Sequence, residues 1–443
     1  MRKSLFLILA APLWAQNSLS LREAVQLALR ENQAIAATGA AVRASSARIE
    51  EARSGRLPKV NYSESFVRSD NPVFVFSSLL TQHQFGVENF NIGPLNRPDS
   101  IDNFQSLLSV DQPLYDAGQA ANAAKSAGLA RQITAEEKRR VQMQVISGVV
   151  RAYDGAVLAS ESLKTAEQAV HSAEADLKRA ESVRAAGMST DVDVLSIRVH
   201  LAAVTEQRIQ RSADLEVAQS ALNDALGLPL DTPHTLTSTL DPLDLEDLQL
   251  ASLERDASST RPEVRATHLE ADLARTQAEA ARLALLPQVG FHAAFEADRQ
   301  QFVNKGGANW LASISLRWNL FNGNGDKARI EESKDLMERA HADEQRVDSA
   351  VRLEVRRAWA GLRAARQRIE VAKAAVAEAD ESLRITRNRY EAGMSNVTDL
   401  LRNETAVLES RTRYLAAVHD QRIAATMLEL AAGRLSPDSE VLN

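Results

Sequence analysis

The sequence predicts a mainly α-helical chain that carries a membrane β-barrel portion, and three observations lead there. Residues 114–228 and 321–436 are rich in Ala, Leu, Glu, Arg and Gln and nearly free of proline, the composition of long helices packed side by side. Segments ahead of those helices alternate apolar and polar residues with a period of two, the mark of strands with one polar and one apolar face. The chain is also largely written twice.

The duplication shows in a repeated phrase. Ala186-Gly187-Met188-Ser189 recurs as Ala392-Gly393-Met394-Ser395, 206 positions on. At the same offset Arg151-Ala152-Tyr153 falls on Arg357-Ala358-Trp359, Asp193 on Asp399 and Gly227 on Gly433. Leu114-Tyr115-Asp116 likewise falls on Leu320-Phe321-Asn322. Further upstream Leu57-Pro58 matches Leu286-Pro287 at an offset of 229, so the first half carries 23 extra residues between Pro58 and Leu114. Repeats of this length dictate architecture. The organisation read from them is a signal peptide (1–16), a first repeat (17–227), a linker (228–260), a second repeat (261–434) and a tail (435–443).

The N-terminus has basic Arg2 and Lys3, an apolar run from Leu5 to Trp14 and a small Ala15. This reads as a secretory signal peptide, too short to span a bilayer. Nowhere else do about 18 apolar residues run together, as a membrane helix requires. A β-barrel is then the one membrane structure left.

Each half reads helix, strand, loop, strand, long helix, tip, helix. Ser20 and Glu23 form a capping-box pattern that starts the first helix, which is expected to run to Leu57 and stop at Pro58. Its counterpart starts near Pro262 and stops before Pro287. Val289, Phe291, Ala293 and Phe295 make one face of a strand; Trp310, Ala312, Ile314, Leu316, Trp318 and Leu320 make one face of the next. Val60, Tyr62 and Phe66, then Phe104, Leu108, Val110 and Leu114, repeat the pattern less cleanly. Aromatics near the ends of such a face suit a lipid-facing girdle, here Phe291, Phe295, Trp310 and Trp318.

The run from Ala117 to Ala186 is about 70 residues, or roughly 105 Å of helix. Two shorter helices of about 37 residues, roughly 55 Å each, match it when placed end to end. The helix after the first tip carries Val194, Leu201, Leu215 and Leu222 at a positions and Ile197, Val204, Ala218 and Ala225 at d, a coiled-coil seam that Arg208 and Arg211 interrupt. Gly187 and Gly393 supply a positive-φ helix stop. Ser189 or Thr190, and Ser395 or Asn396, cap the helix that follows. Four strands cannot close a barrel, since natural membrane barrels start at about eight. Three copies pool twelve, and no strand edge is then left open in lipid.

These features together resemble the TolC family of outer membrane efflux proteins. The residues that carry the likeness are the signal peptide, the opening LSLREAVQLALRENQ, the Leu-Pro before each first strand, the Leu-Tyr-Asp-Ala-Gly and Leu-Phe-Asn-Gly-Asn helix starts, and the twin AGMS tips. The resemblance implies a homotrimer with a 12-stranded outer-membrane β-barrel, four strands per chain, continued by a long periplasmic α-helical coiled-coil barrel. It implies an exit duct of a tripartite efflux pump or of type I secretion, with no catalytic site, metal or cofactor. The partners it implies are a periplasmic adaptor, an inner-membrane transporter of the RND or ABC type, and outer-membrane lipid. It places an adaptor-docking surface at Gly187, Met188, Ser189, Thr190, Gly393, Met394, Ser395 and Asn396. It places a periplasmic gate at Asp193, Tyr390 and Asp399. This chain has Ser395 where the family's type member has a gate Arg, and Arg402 where that member has a second ring Asp; the expectation is either a weaker closed state or a different link in which Arg402 restrains Asp399. Helix-start charge is the plainer role for Asp193 and Asp399.

Other chemistry finds no support. The chain has no Cys, and GxxxxGK[ST], HExxH and GxSxG are all missing. The GNG at 323–325 lacks the rest of a dinucleotide fingerprint. The His residues are scattered, and Glu136-Glu137 and Glu331-Glu332 lie in Arg- and Lys-containing helices as solvated faces. A net charge of −7 disfavours a nucleic-acid partner. The alternative from another class is a soluble periplasmic coiled-coil adaptor, which would carry one hairpin and no strand pairs of this kind.

Overall fold

The computed structural model describes residues 18–244, 249–303 and 306–442; the signal-peptide reading of residues 1–16 lies outside them. In chain order the elements are β1 (Ser18–Leu19), α1 (Leu21–Glu31), α2 (Gln33–Arg53), β2 (Lys59–Ser69), α3 (Pro72–Thr81), α4 (Ile92–Asn96), β3 (Ile101–Tyr115) and α5 (Gln119–Ala185). Then follow α6 (Asp191–Leu226), β4 (Thr235–Leu236), α7 (Leu250–Thr260), α8 (Pro262–Leu283), β5 (Gln288–Arg299), β6 (Gly307–Arg317), α9 (Gly325–Glu391) and α10 (Val397–Ala431). The chain folds as two units: a helical one (Met1–Val42, Thr134–Thr267, Glu344–Asn443) and one that holds the sheet (Arg43–Ile133, His268–Asp343).

α5 and α9 each have 67 residues. Both start after a two-residue left-handed turn, Ala117-Gly118 in one half and Gly323-Asn324 in the other. Asp116 accepts the amides of Gly118 (2.9 Å) and Ala120 (2.7 Å), and Asn322 accepts that of Asp326 (3.2 Å). A short acceptor side chain at that position holds amides the helix cannot satisfy itself.

Two expectations need correction. The first helix does not run unbroken to Leu57. It stops at Glu31, because Asn32 is extended (φ −67, ψ 128). The Asn32 side chain accepts the Ala34 amide at 2.9 Å and donates to the Ala225 carbonyl at 3.0 Å. The linker, in turn, is not featureless to Thr260. Its last eleven residues are α7, which lies 229 positions after α1, residue for residue. Arg261 occupies the place of Asn32 and donates to the Ala431 carbonyl at 3.1 Å, 206 positions after Ala225. Both breaks are closed against a left-handed glycine. A Cβ on Gly227 (φ 80) would come within 2.9 Å of Asn32 Cα, and one on Gly433 (φ 72) within 3.1 Å of the Arg261 nitrogen.

The helical unit has one main core. Leu21, Ala24, Val25 and Ala28 of α1 pack with Val149, Val150 and Tyr153 of α5, Leu222 and Leu226 of α6, and Leu253 and Ala257 of α7. Tyr153 is fully buried, and its hydroxyl donates to Leu19 O at 2.7 Å and accepts from Ser238 N at 3.2 Å. That tyrosine ties α5 to the parallel β1–β4 pair. The residues after α10 pack here too: Leu435, Val441 and Leu442 of the tail are buried in the same core. Asp154 and Arg422, a 3.1 Å ion pair almost wholly removed from solvent, join α5 to α10. Burial pushes the Asp154 carboxyl up, against the pull of the Arg422 charge.

The sheet is antiparallel in the order β2-β3-β5-β6. Its register sorts the side chains onto two faces. One rung of the first face reads Tyr62, Leu108, Phe295, Trp310, and the next Val60, Val110, Ala293, Ala312. The opposite face carries Asn61, Ser109 and Ala294 on one rung, and Ser65, Gln105 and Asp298 on another.

Candidate functional site

The two tips have the same backbone. Gly187 (φ 78) donates to Arg184 O at 2.9 Å and Met188 to Val183 O at 3.1 Å. Gly393 (φ 70) donates to Tyr390 O at 3.0 Å and Met394 to Arg389 O at 2.8 Å. This is the Schellman pattern, which satisfies the last carbonyls of a helix and needs a residue free to adopt positive φ. Of the capping choices, the structure uses Thr190 and Asn396. Ser189 and Ser395 instead donate to Asp193 (3.0 Å) and Asp399 (3.3 Å). Met188 is 75% exposed and Met394 65%, so each tip presents one thioether side chain to solvent.

Asp193 completes a capping box: its carboxylate accepts from the Thr190 amide at 3.1 Å and hydroxyl at 2.8 Å. Those bonds, the backbone one first, hold its pKa below the usual carboxylate range. Asp399 has the forward half only, its amide donating to Asn396 Oδ1 at 2.8 Å. Tyr390 packs against Ala180, Val194, Ile197 and Val397, the small core beneath the tips. Burial, then the negative fields of Asp193 and Asp176, raise its pKa. Among the described residues no hydrogen bond within the chain joins Tyr390 to Asp193. Nor does Arg402, which is exposed, pair with Asp399 within the chain.

A second polar group lies where the two hairpins meet, and the sequence reading passed over it. Arg387 of α9 donates to Glu404 of α10 (2.8 Å) and to Ser172 (3.0 Å) and Asp176 (3.3 Å) of α5. His200 of α6 stands 3.3 Å from the other Glu404 oxygen. Four helices thus meet through buried charge. Asp176 is pushed up to about 7, by burial first and then by Glu404. Burial would raise Glu404 as well, but hydrogen bonds from His200 and Asp176 and the nearby cations hold it low. The signal was present at the repeat offset. Arg387 and Glu404 fall on Glu181 and Arg198, a 2.7 Å pair of reversed polarity.

On the sheet's first face Val60, Tyr62, Phe66, Leu108, Phe295, Trp310, Ile314 and Leu316 are all exposed. Phe291 shares that face, between Gln112 and Ile314. Trp318 stands just past the end of β6 and donates to Leu285 O at 3.0 Å. From Trp310 to Trp318 is roughly 27 Å along the chain at strand rise, comparable to the apolar band of membrane barrels, about 25 Å tall. One ionic group shares the face beyond the Trp310 rung. Arg299 pairs with Glu64 at 2.8 Å, and Tyr62 donates to the same carboxylate at 2.7 Å. His292, on the polar face, meets Asp111 at 2.8 Å.

Comparison with known proteins accounts for this set of features. Protein CyaE of Bordetella pertussis is 28% identical over 95% of this chain and 85% of its own length. The alkaline protease secretion protein AprF of Pseudomonas aeruginosa is 25% identical over 86% and 78%. The CmeC outer membrane channel of Campylobacter jejuni superposes with a TM-score of 0.78 at 16% identity, over all of this chain and 95% of that one. That last likeness is one of fold: a four-stranded sheet portion combined with long helices. The family model described as outer membrane efflux protein matches residues 24–228 and 253–434, two segments whose starts lie 229 positions apart. Its members are ducts rather than enzymes, they serve tripartite efflux and type I secretion systems, and they work in the outer membrane and reach into the periplasm. The chain belongs to the outer membrane efflux protein family and is an outer-membrane export duct.

Proposed function

We propose that three copies of this chain form one duct, and that the duct conducts exported polypeptides received from an inner-membrane transporter of the RND or ABC type through a periplasmic adaptor. The sheet carries this reading: β2 and β6 have unpaired outer edges beside a mainly apolar face whose large side chains are mostly exposed. Lipid would cover that face, with Phe291, Phe295, Trp310 and Trp318 as its girdle, and neighbouring copies would satisfy the edges. Polypeptide cargo is favoured by AprF, whose name assigns it to secretion of a protease. Export of small molecules is the second reading, favoured by the family's description as efflux proteins.

The tips are the adaptor-docking surface in this reading. Gly187 and Gly393 fix the turn, Ser189, Thr190, Ser395 and Asn396 hold it, and Met188 and Met394 offer adaptable apolar contacts. Asp193, Tyr390, Asp399 and Arg402 lie within or beside those tips. Together they form the periplasmic gate, with links made between copies rather than within one. Repeat boundaries at 227 and 434 are proposed as read from the sequence, with α7 moved from the linker into the second repeat.

The deciding measurement is the native mass of the protein extracted in detergent from isolated outer membranes. A trimer is expected. A monomer released with the soluble periplasm would overturn the duct and return the adaptor-like rod. For cargo, loss of an extracellular protein on deletion supports secretion, whereas drug sensitivity with an unchanged exoproteome would favour efflux.

A further inference from the structure

The extra residues of the first half fold into a specific object. β2 ends at Ser69, at the end of the sheet away from α2, and α3 follows directly, its helix capped by Asn71. α3 docks on the polar face of the sheet. Its following residue Gln82, almost fully buried, donates to Asn103 at 2.8 Å, and Asn103 donates to Asp298 at 2.6 Å. Asn309 donates to Thr81 O at 3.2 Å. The approach is so close that a Cβ on Gly307 would fall 1.9 Å from that same oxygen. Val75, Ser78 and Gln82 face the sheet, at helical spacing.

The other side of this segment is apolar and bare. Val73 is 77% exposed and Leu80 47%, and in the turn beyond them Val87, Phe90 and Ile92 are all more than 60% exposed. Phe85 touches both Phe76 of α3 and Phe90, so the turn packs beside the helix; side chains of this kind, placed singly, need no explanation, but so many on one docked segment do. The polar face is the lumen face of a barrel whose outer face is apolar, so α3 lies inside the lumen at the end away from the helices. That end opens outside the cell.

We propose that α3 and the turn after it meet their counterparts from the two other copies and close the outer mouth of the barrel with an apolar plug. This rests on the trimer reading above, because the threefold axis is what brings the bare faces together. Twelve strands about 4.8 Å apart and tilted by about 40° enclose a cylinder roughly 24 Å across between strand backbones, so a helix about 10 Å in diameter docked on the inner face reaches nearly to the axis. Water facing five large apolar side chains per copy is replaced by contact with the same side chains of the neighbours.

The chain has no cysteine, so single thiols report without background. Leu80→Cys in the purified, mass-verified trimer is oxidised and run without reductant. Disulfide-linked dimers are expected, since a disulfide forms only between Cβ atoms about 4 Å apart. In intact cells Ser313→Cys, on the lumen face below α3, is treated with a bulky, membrane-impermeant maleimide. It should stay unlabelled, and become labelled when Val73→Asp and Leu80→Asp are added. A trimer in which neither Leu80→Cys nor Val73→Cys cross-links, and Ser313→Cys labels freely from outside, overturns the plug and leaves the duct intact. A monomer overturns both.

Discussion

The two hairpins of the helical unit began as one sequence and kept one backbone, yet they use charge in opposite ways. α5 and α9 have the same length, and both tips close with the same glycine and the same pair of backbone bonds. At equivalent positions the first hairpin holds Glu181 and Arg198, and the second Arg387 and Glu404. The first pair is exposed at about half of each side chain. The second has Glu404 only 7% exposed, because Ser172, Asp176 and His200 of the first hairpin pack over it. Duplication preserved geometry, and packing decided what the charges do. An exposed pair contributes little against solvent screening. A buried group of four charged or polar partners joins two hairpins and leaves no member removable without orphaning another.

Removing one member should separate the hairpins most sharply. Arg387→Ala removes the one arginine that bridges Asp176 and Glu404 and is expected to cost about 3 kcal/mol, read as the urea midpoint of the detergent-solubilised protein. Glu181→Ala should cost less than about 1 kcal/mol; equal losses would refute the contrast.

Reversing polarity is the next test. The swap Glu181→Arg with Arg198→Glu should be nearly neutral. The swap Arg387→Glu with Glu404→Arg should still cost about 2 kcal/mol, because the carboxylate then stands among Asp176 and Ser172 and the guanidinium beside His200. Full recovery in the second swap would show that the surrounding residues do not matter.

Acidity should act on the buried group where the two hairpins meet and spare the exposed Glu181–Arg198 pair. Asp176 titrates near 7 when folded and near 3.8 when unfolded. Its contribution is therefore complete below about 3.8 and is lost as pH rises through about 7. Arg387, Arg179, Glu404 and His200 are the charged or titratable groups that face it. Between pH 5 and 8 the wild type should lose stability that Asp176→Asn does not, the amide standing in for the protonated acid. Parallel pH profiles would count against a raised Asp176 pKa.

The tips should differ least. Asp193→Ala removes a complete capping box and should cost about 1 kcal/mol. Asp399→Ala leaves the Asn396 cap in place and should cost less than about half of that. Its expected effect is on conduction: a lower cation preference in bilayer recordings. Unchanged ion selectivity would take Asp399 out of the gate.

The features legible in the sequence were those written in short range. Positive-φ glycines, capping residues and period-two alternation each follow from a few neighbouring residues, so the tips, the strands and the starts of α5 and α9 were found from the chain alone. The duplication was legible because its offset does not depend on the fold. The halt of α1 at Asn32 was not. Nothing local forbids a helix there; the partner is the Ala225 carbonyl, nearly two hundred residues on, with Gly227 packed against the break. α7 was hidden for the same reason, its weak apolar pattern completed by Val264 and the α1 and α5 core. Arg387 and Glu404 read as ordinary helix charges until two hairpins enclosed them. The sequence by itself determined elements, repeat and apolar faces, because those depend on local sterics and periodicity. Only the tertiary structure decided which charges were buried and where the extra loop docked, because desolvation is set by everything that packs around a group and not by the residues beside it in the chain.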